Sequence, residues 1–178
     1  MQNIKEAYTK MRIFVTLGTQ KFQFDRLLKK LDELVDQNKI KSEDLIVQCV
    51  YAEYQPKNFT MFAMKPQNEI EEIMKNVDLV ITHSGTGSII TSLKLEKKII
   101  IVPRLKKYGE HVDNHQVELA EVFKEKVNVI VVDDMNDLEK AIQESMTHKY
   151  GKWKSNNKEM IESIDKDIMK TKEVLNNE

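Results

Sequence analysis

The stretch His83-Ser84-Gly85-Thr86-Gly87-Ser88 places two glycines and three hydroxyls where the apolar run Leu79–Thr82 gives way to a helical pattern. Backbone N–H groups in the first turn of a helix have no partner within the helix, and the positive end of the helix dipole points the same way. Such a loop therefore holds an anion, and two adjacent phosphates match its length. Ser88 is placed to cap the helix that follows. Known phosphate loops fit less well. The dinucleotide pattern G-x-G-x-x-G needs a third glycine and the first strand of a unit, and the mononucleotide P-loop needs a Lys that does not follow here. The bland alternative is a tight strand-to-helix turn with a capping serine.

Two other segments carry polar groups at the ends of apolar runs. Gly18-Thr19-Gln20 follows the opening run Arg12–Leu17, where a glycine lets the backbone approach a ligand, although glycine also ends many strands for no other reason. Pro103-Arg104, Lys106, Lys107, Tyr108, Gly109, Glu110 and His111 lead to Asp113-Asn114-His115-Gln116, a set of hydrogen-bonding side chains suited to sugar hydroxyls. His111 and His115 are four apart, but there is no third ligand nearby, so no metal site is expected. Asp165 and Asp167 stand two apart in a helical pattern, where their side chains diverge, and they read as a solvated face. Cys49, the single cysteine, lies in an apolar run with no base beside it and reads as core.

The elements that position these residues alternate. Leu27, Leu28, Leu31, Leu34 and Val35 recur at helical spacing after Phe24, and Leu45–Val50 reads as a second buried strand. Phe59–Met64 reads as a shorter strand whose pairing stays open, because no crossover helix fits before it. A helix through Ile70, Ile73 and Met74, with Asn68 and Glu71 as a capping pair, leads to the strand Leu79–Thr82. Then follow a helix Ser88–Leu95, a strand Lys98–Val102, a helix Asn114–Phe123, a strand Val127–Val132 and a helix Asp137–Met146. Apolar strands alternating with amphipathic helices predict an α/β, Rossmann-like parallel sheet with helices on both faces. In such sheets ligands bind beyond the carboxyl ends of the strands, where the three polar segments lie. Residues 11–148 form this domain, and residues 149–178 form a C-terminal helical extension in which Ile161, Ile164, Ile168 and Leu175 share a stripe behind Trp153.

Bulk composition removes whole classes of function. The chain has 178 residues, a length for one core, and 40% hydrophobic residues, enough to fill it. A formal net charge of -1 offers no footprint for a nucleic-acid backbone. The longest apolar run, Ile99–Val102, cannot span a bilayer, no secretory leader is visible, and one cysteine suits a reducing compartment. The expected location is cytoplasmic.

The stretches Val15–Thr19 with Phe24–Leu28, Asp78–Ser88, and Ile101–Arg104 through Asn114-His115-Gln116 resemble the family 28 glycosyltransferase C-terminal domain over about Met11 to Phe123. The resemblance implies the C-terminal half of a two-Rossmann-domain enzyme, and within the family the small catalytic subunits of split transferases. It implies a UDP-sugar bound by Gly18, Thr19, His83, Ser84, Gly85, Thr86, Gly87, Ser88, Thr91, Arg104, Asn114, His115 and Gln116. The loop at 85–88 would hold the diphosphate, and His115 and Gln116 the sugar. No cofactor is implied, since the UDP-sugar is a substrate. The expected activity is an inverting, metal-independent hexosyltransferase, with galactose first and N-acetylglucosamine second, acting on a lipid-diphosphate-linked saccharide of capsule or exopolysaccharide synthesis. Its partner would be a membrane-anchored, acceptor-binding subunit that brings the chain to the inner face of the cytoplasmic membrane. The acceptor-side base belongs to that other half, and His83 is a candidate by position only. Thr91 stands where the family carries an acidic residue for the ribose, and Glu96 where a glycine ends the helix. Both departures favour the alternative, a non-catalytic nucleotide-sugar-binding or scaffolding protein.

Overall fold

The computed structural model describes residues 11–152. The stripe of Ile161, Ile164, Ile168 and Leu175, Trp153 and the Asp165/Asp167 pair lie outside the described residues. Six strands, β1 (Ile13–Thr16), β2 (Leu45–Gln48), β3 (Met61–Phe62), β4 (Leu79–Thr82), β5 (Lys98–Ile101) and β6 (Ile130–Val131), form one sheet in the order β3-β2-β1-β4-β5-β6. Every neighbouring pair is parallel. Five helices connect or follow them: α1 (Asp25–Asp36), α2 (Gln67–Lys75), α3 (Thr86–Lys94), α4 (His115–Val127) and α5 (Leu138–Ser145).

Alternation along each strand divides the core between two faces. Ile13, Val15, Leu79, Ile81 and Ile100 pack with Leu27, Leu28, Leu31 and Leu34 of α1 and Leu138 and Ile142 of α5. On the opposite face Phe14 and Val80 meet Ile70 and Met74 of α2, while Ile99 and Ile101 meet Ile89 and Leu93 of α3 and Leu119 and Phe123 of α4. The sheet is therefore covered on both sides, and the domain is doubly wound as expected. It also reaches past residue 148: Gly151 N–H bonds Val127 O at 2.8 Å, and Asn128 donates to Lys149 O at 2.8 Å.

Three local expectations change. The open pairing of the Phe59–Met64 segment resolves as a two-residue parallel edge strand beside β2, reached through residues 49–60 with no helix. That irregular crossover hangs on Asp32, buried in α1, whose carboxylate accepts from the Tyr54 hydroxyl (2.6 Å), Lys57 N–H (3.0 Å) and Asn58 N–H (2.9 Å). Asn68 and Glu71 do not cap α2, which begins at Gln67 behind Pro66, since a proline before the first turn has no N–H to leave unpaired. Ser88 does not cap α3 either. The helix starts at Thr86, so Ser88 lies inside its first turn and accepts through its carbonyl from the Ser92 hydroxyl at 2.8 Å.

Glu96 adopts the left-handed conformation that the family's glycine would, with φ of 51°. Lys97 N–H bonds Ser92 O at 3.0 Å and Glu96 N–H bonds Leu93 O at 3.1 Å, the paired closure of a helix C-terminus.

Candidate functional site

The order of the sheet reverses between β1 and β4: the chain winds outward one way through β2 and β3, then returns to β1's other side. The loops leaving β1 and β4 consequently diverge, and a crevice opens between them at the carboxyl ends. A cleft of about 610 Å³ lies there, and Gly18, Thr19, all six residues from His83 to Ser88, Thr91, His115 and Gln116 line it. Eleven of the thirteen expected binding residues are thus brought to one place.

The glycine loop sits at the start of α3, in the lining of the cleft. Gly85 precedes the first turn of α3, and a Cβ at Gly87 would meet nothing within 4 Å, so the space beside the helix N-terminus is open. The other two glycines answer to the protein instead. A Cβ on Gly18, whose φ is 77°, would come within 2.7 Å of the His83 imidazole, and one on Gly85 would collide with the same ring. The two glycines make room for His83, whose Nδ1 sits 3.4 Å from Thr16 O. Burial, and secondly the Arg104 charge, push the His83 pKa down to about 4, so at neutral pH the ring is uncharged. Ser84, one of the cleft-lining residues, is 1% exposed, and its buried hydroxyl has no partner among the described residues. A buried donor left so is satisfied by whatever enters.

Arg104 is a correction. It is 2% exposed, and its guanidinium donates to Phe22 O (2.8 Å), Gln23 O (3.1 Å), Glu110 O (3.2 Å) and Leu17 O. The group is spent on backbone carbonyls and clamps the loop after β1 to the segment after β5. A guanidinium carries several donors in one plane, which lets one side chain close two loops. Glu110, fully buried, balances the charge and forks to Arg26 at 2.9 and 3.1 Å. Asn114 also falls outside the cleft lining: its side-chain oxygen accepts from Lys106 N–H at 3.3 Å. Gln116 stays in the cleft, with Oε1 taken by Arg104 N–H at 3.1 Å and its amide nitrogen left for a ligand. His115 Nδ1 is 3.5 Å from Glu118, whereas His111 Nδ1 is 2.8 Å from Asp113, so the two histidines turn to different carboxylates.

The residues the sequence reading missed fall in two groups. Thr16 and Gln48 floor the cleft, joined by a 2.9 Å hydrogen bond. A polar residue closing an apolar strand was the available signal. Met64, Lys65 and Gln67 form the wall beyond β3, while His111, from the polar segment already singled out in the sequence, also joins the lining. The β3 wall was illegible because the pairing of that strand was. A wider groove of about 920 Å³ lies between α1 and Asp133–Asn136; its lysines and carboxylates are mixed in sign, and it contains neither glycine loop.

Fold and cleft together define a doubly wound domain with a glycine-rich strand-to-helix loop at its switch point. Residues 12–171 match the glycosyltransferase family 28 C-terminal domain, and the chain belongs to that family. It is 31% identical over 96 residues to the UDP-N-acetylglucosamine transferase subunit ALG13 of Candida albicans, covering 54% of this chain and 31% of that protein. It is 30% identical over 125 residues to the UDP-N-acetylglucosamine--N-acetylmuramyl-(pentapeptide) pyrophosphoryl-undecaprenol N-acetylglucosamine transferase of Prochlorococcus marinus, covering 68% of this chain and 31% of that one. The chain spans about a third of the length of the curated relatives it matches. A solution NMR structure of ALG13 has the same fold, with TM-score 0.53 at 20% identity over 85% of this chain and 93% of that chain.

Proposed function

We propose that the chain binds a UDP-sugar in the cleft between the loops after β1 and β4 and serves as the donor-binding, catalytic subunit of a split hexosyltransferase. The observation that carries this reading is the open N-terminus of α3 behind Gly85-Thr86-Gly87, facing a cleft large enough for a nucleotide sugar. Family membership supports the transferase class. The relatives' names favour N-acetylglucosamine over galactose as the sugar, and neither name speaks for a capsule or exopolysaccharide destination. The acceptor is a lipid-diphosphate-linked saccharide, by analogy with the undecaprenol-linked acceptor in the bacterial relative's name. The word subunit in the ALG13 name supports a partner, here one that is membrane-anchored and carries the acceptor site. No helix of the described residues is long and apolar enough to cross a membrane; in this reading the partner supplies the attachment.

In this reading the sugar is transferred with inversion. The charge that develops on the departing diphosphate is met by the N–H groups of the glycine loop and the helix dipole, in the role a metal plays elsewhere. UDP should bind the full chain with measurable affinity by calorimetry. Gly87→Val, whose Cβ meets nothing of the protein within 4 Å, should abolish binding while the melting temperature stays within a few degrees. Absence of binding to the wild type, or equal binding by the variant, overturns the proposal.

A further inference from the structure

Residues 18–23, the loop that leaves β1, take part in no backbone–backbone hydrogen bond among the described residues. Gly18, Thr19 and Gln20 nevertheless line the cleft together with the glycine loop after β4. A loop without bonds of its own samples many conformations, and a ligand that needs one of them must then bear the cost of ordering it. Something outside the loop has to hold it.

Arg104 does so from both ends. Its guanidinium donates to Leu17 O at the near foot of the loop and to Phe22 O (2.8 Å) and Gln23 O (3.1 Å) at the far foot. A further bond to Glu110 O (3.2 Å) fixes the same group to the segment after β5. The Arg104 backbone N–H bonds Oε1 of Gln116 at 3.1 Å, and Gln116 is also in the cleft lining. Arg104 itself is 2% exposed and is not among the residues that line the cleft. Its influence on a ligand therefore passes through the loop and through Gln116. Glu110, which balances the buried charge, is held in turn by Arg26 and by Leu105 N–H at 2.9 Å. A second, weaker tie joins the same two segments: Gln23 Nε2 donates to Tyr108 O at 2.7 Å.

Resting on the donor-site reading proposed above, we infer that Arg104 is a positioning residue for the UDP-sugar: it holds one side of the cleft in the conformation that receives the donor, without touching the donor. The planar fork is what the task requires, because donors spread over one plane reach carbonyls at both feet of the loop, whereas a lysine ammonium is a single point on its stem. The rival account is attraction at a distance. The Arg104 charge is felt at His83 in the cleft lining, and a cation there favours a diphosphate. Lysine keeps the charge and loses the fork, which separates the two accounts.

The test is calorimetry of UDP with the full chain, reading both Kd and the fraction of chains that bind, with circular dichroism giving the folded fraction. Arg104→Lys and Arg104→Gln should both weaken binding by about 10-fold or more, while every folded chain still binds. A merely structural role would lower the number of folded chains and leave the affinity of the remainder unchanged. Gln23→Ala removes the tie to Tyr108 O from a half-buried position outside the cleft lining, and it should weaken binding by about threefold. That variant decides the matter if neither Arg104 variant folds. A Kd within about threefold of wild type in folded Arg104→Lys overturns the inference, with Arg104→Gln weakened beside it assigning the effect to charge; so does an unchanged Kd in Gln23→Ala where it is the deciding variant. A wild type that binds no UDP sinks the donor-site reading itself, a result separate from any of these.

Discussion

Around His83 two glycines serve one imidazole. Gly18 and Gly85 belong to loops that are far apart in sequence, yet both lack a Cβ for the same ring. The burial that this packing imposes has a consequence in acid. The folded pKa near 4 lies below the usual 6.5, so on lowering the pH the unfolded chain takes up the proton first. No stability is lost above about pH 6.5; it drains between there and pH 4, to a limit of about 3 kcal/mol for the shift. The Cε1–H resonance of His83 should therefore stay flat from pH 8 to about 5.5. A midpoint near the ordinary histidine value would show that the ring is solvated and that the interlock is absent.

At the scale of elements, the end of α3 carries a strained residue. Glu96 holds a positive φ with a side chain, which costs about 1 kcal/mol relative to glycine, while both closing hydrogen bonds are backbone and survive substitution. Glu96→Gly should raise stability by about that amount in denaturant unfolding; a destabilised variant would mean that the Glu96 side chain contributes more than its backbone costs. Asp32 is the second case. Burial opposes its charge, but Tyr54, Lys57 and Asn58 outweigh that and hold the carboxyl below its ordinary pKa. The stabilisation is complete above the unfolded carboxylate range and fades as pH falls through the lower folded value. Asp32→Asn should cost about 2–3 kcal/mol at pH 7, because amide nitrogen replaces an acceptor facing buried donors, and the loss should shrink at pH 3. An equal loss at both pH values would exclude the charge as the cause.

For the whole molecule, the described domain offers a donor site and one wall of a reaction centre. Met64 in the cleft lining is exposed to solvent, and the chain itself shows no second Rossmann-like sheet among the described residues. The proposed split enzyme should accordingly transfer little sugar to a lipid-linked acceptor as purified chain, and much more when co-expressed with its membrane partner. EDTA should leave that turnover intact. Equal rates with and without partner would contradict the split reading, and loss on chelation with recovery on manganese would contradict the metal-free leaving-group site.

The parallel, doubly wound architecture was legible in the sequence because it rests on periodicity: strands apolar throughout alternate with helices of one apolar stripe, and burying both leaves few arrangements. The glycine loop was legible for a related reason, since its composition is needed locally, at one strand end and one helix start. Arg104 reads from sequence as a ligand contact because type and position alone cannot say whether a guanidinium faces a substrate or four backbone carbonyls, and only the meeting of the loops after β1 and β5 decides it. The edge strand β3 rests on a crossover whose anchor, Asp32, is a helix residue with no local sign of that role. His111 and Asp113 stand two apart in sequence, but that the His111 ring lies against Phe22 and in the cleft lining depends on contacts between distant segments. Periodicity and turn chemistry are properties of a segment and can be read from it; the direction of a side chain at a loop is set by contacts between segments distant in sequence, and only the tertiary structure holds those.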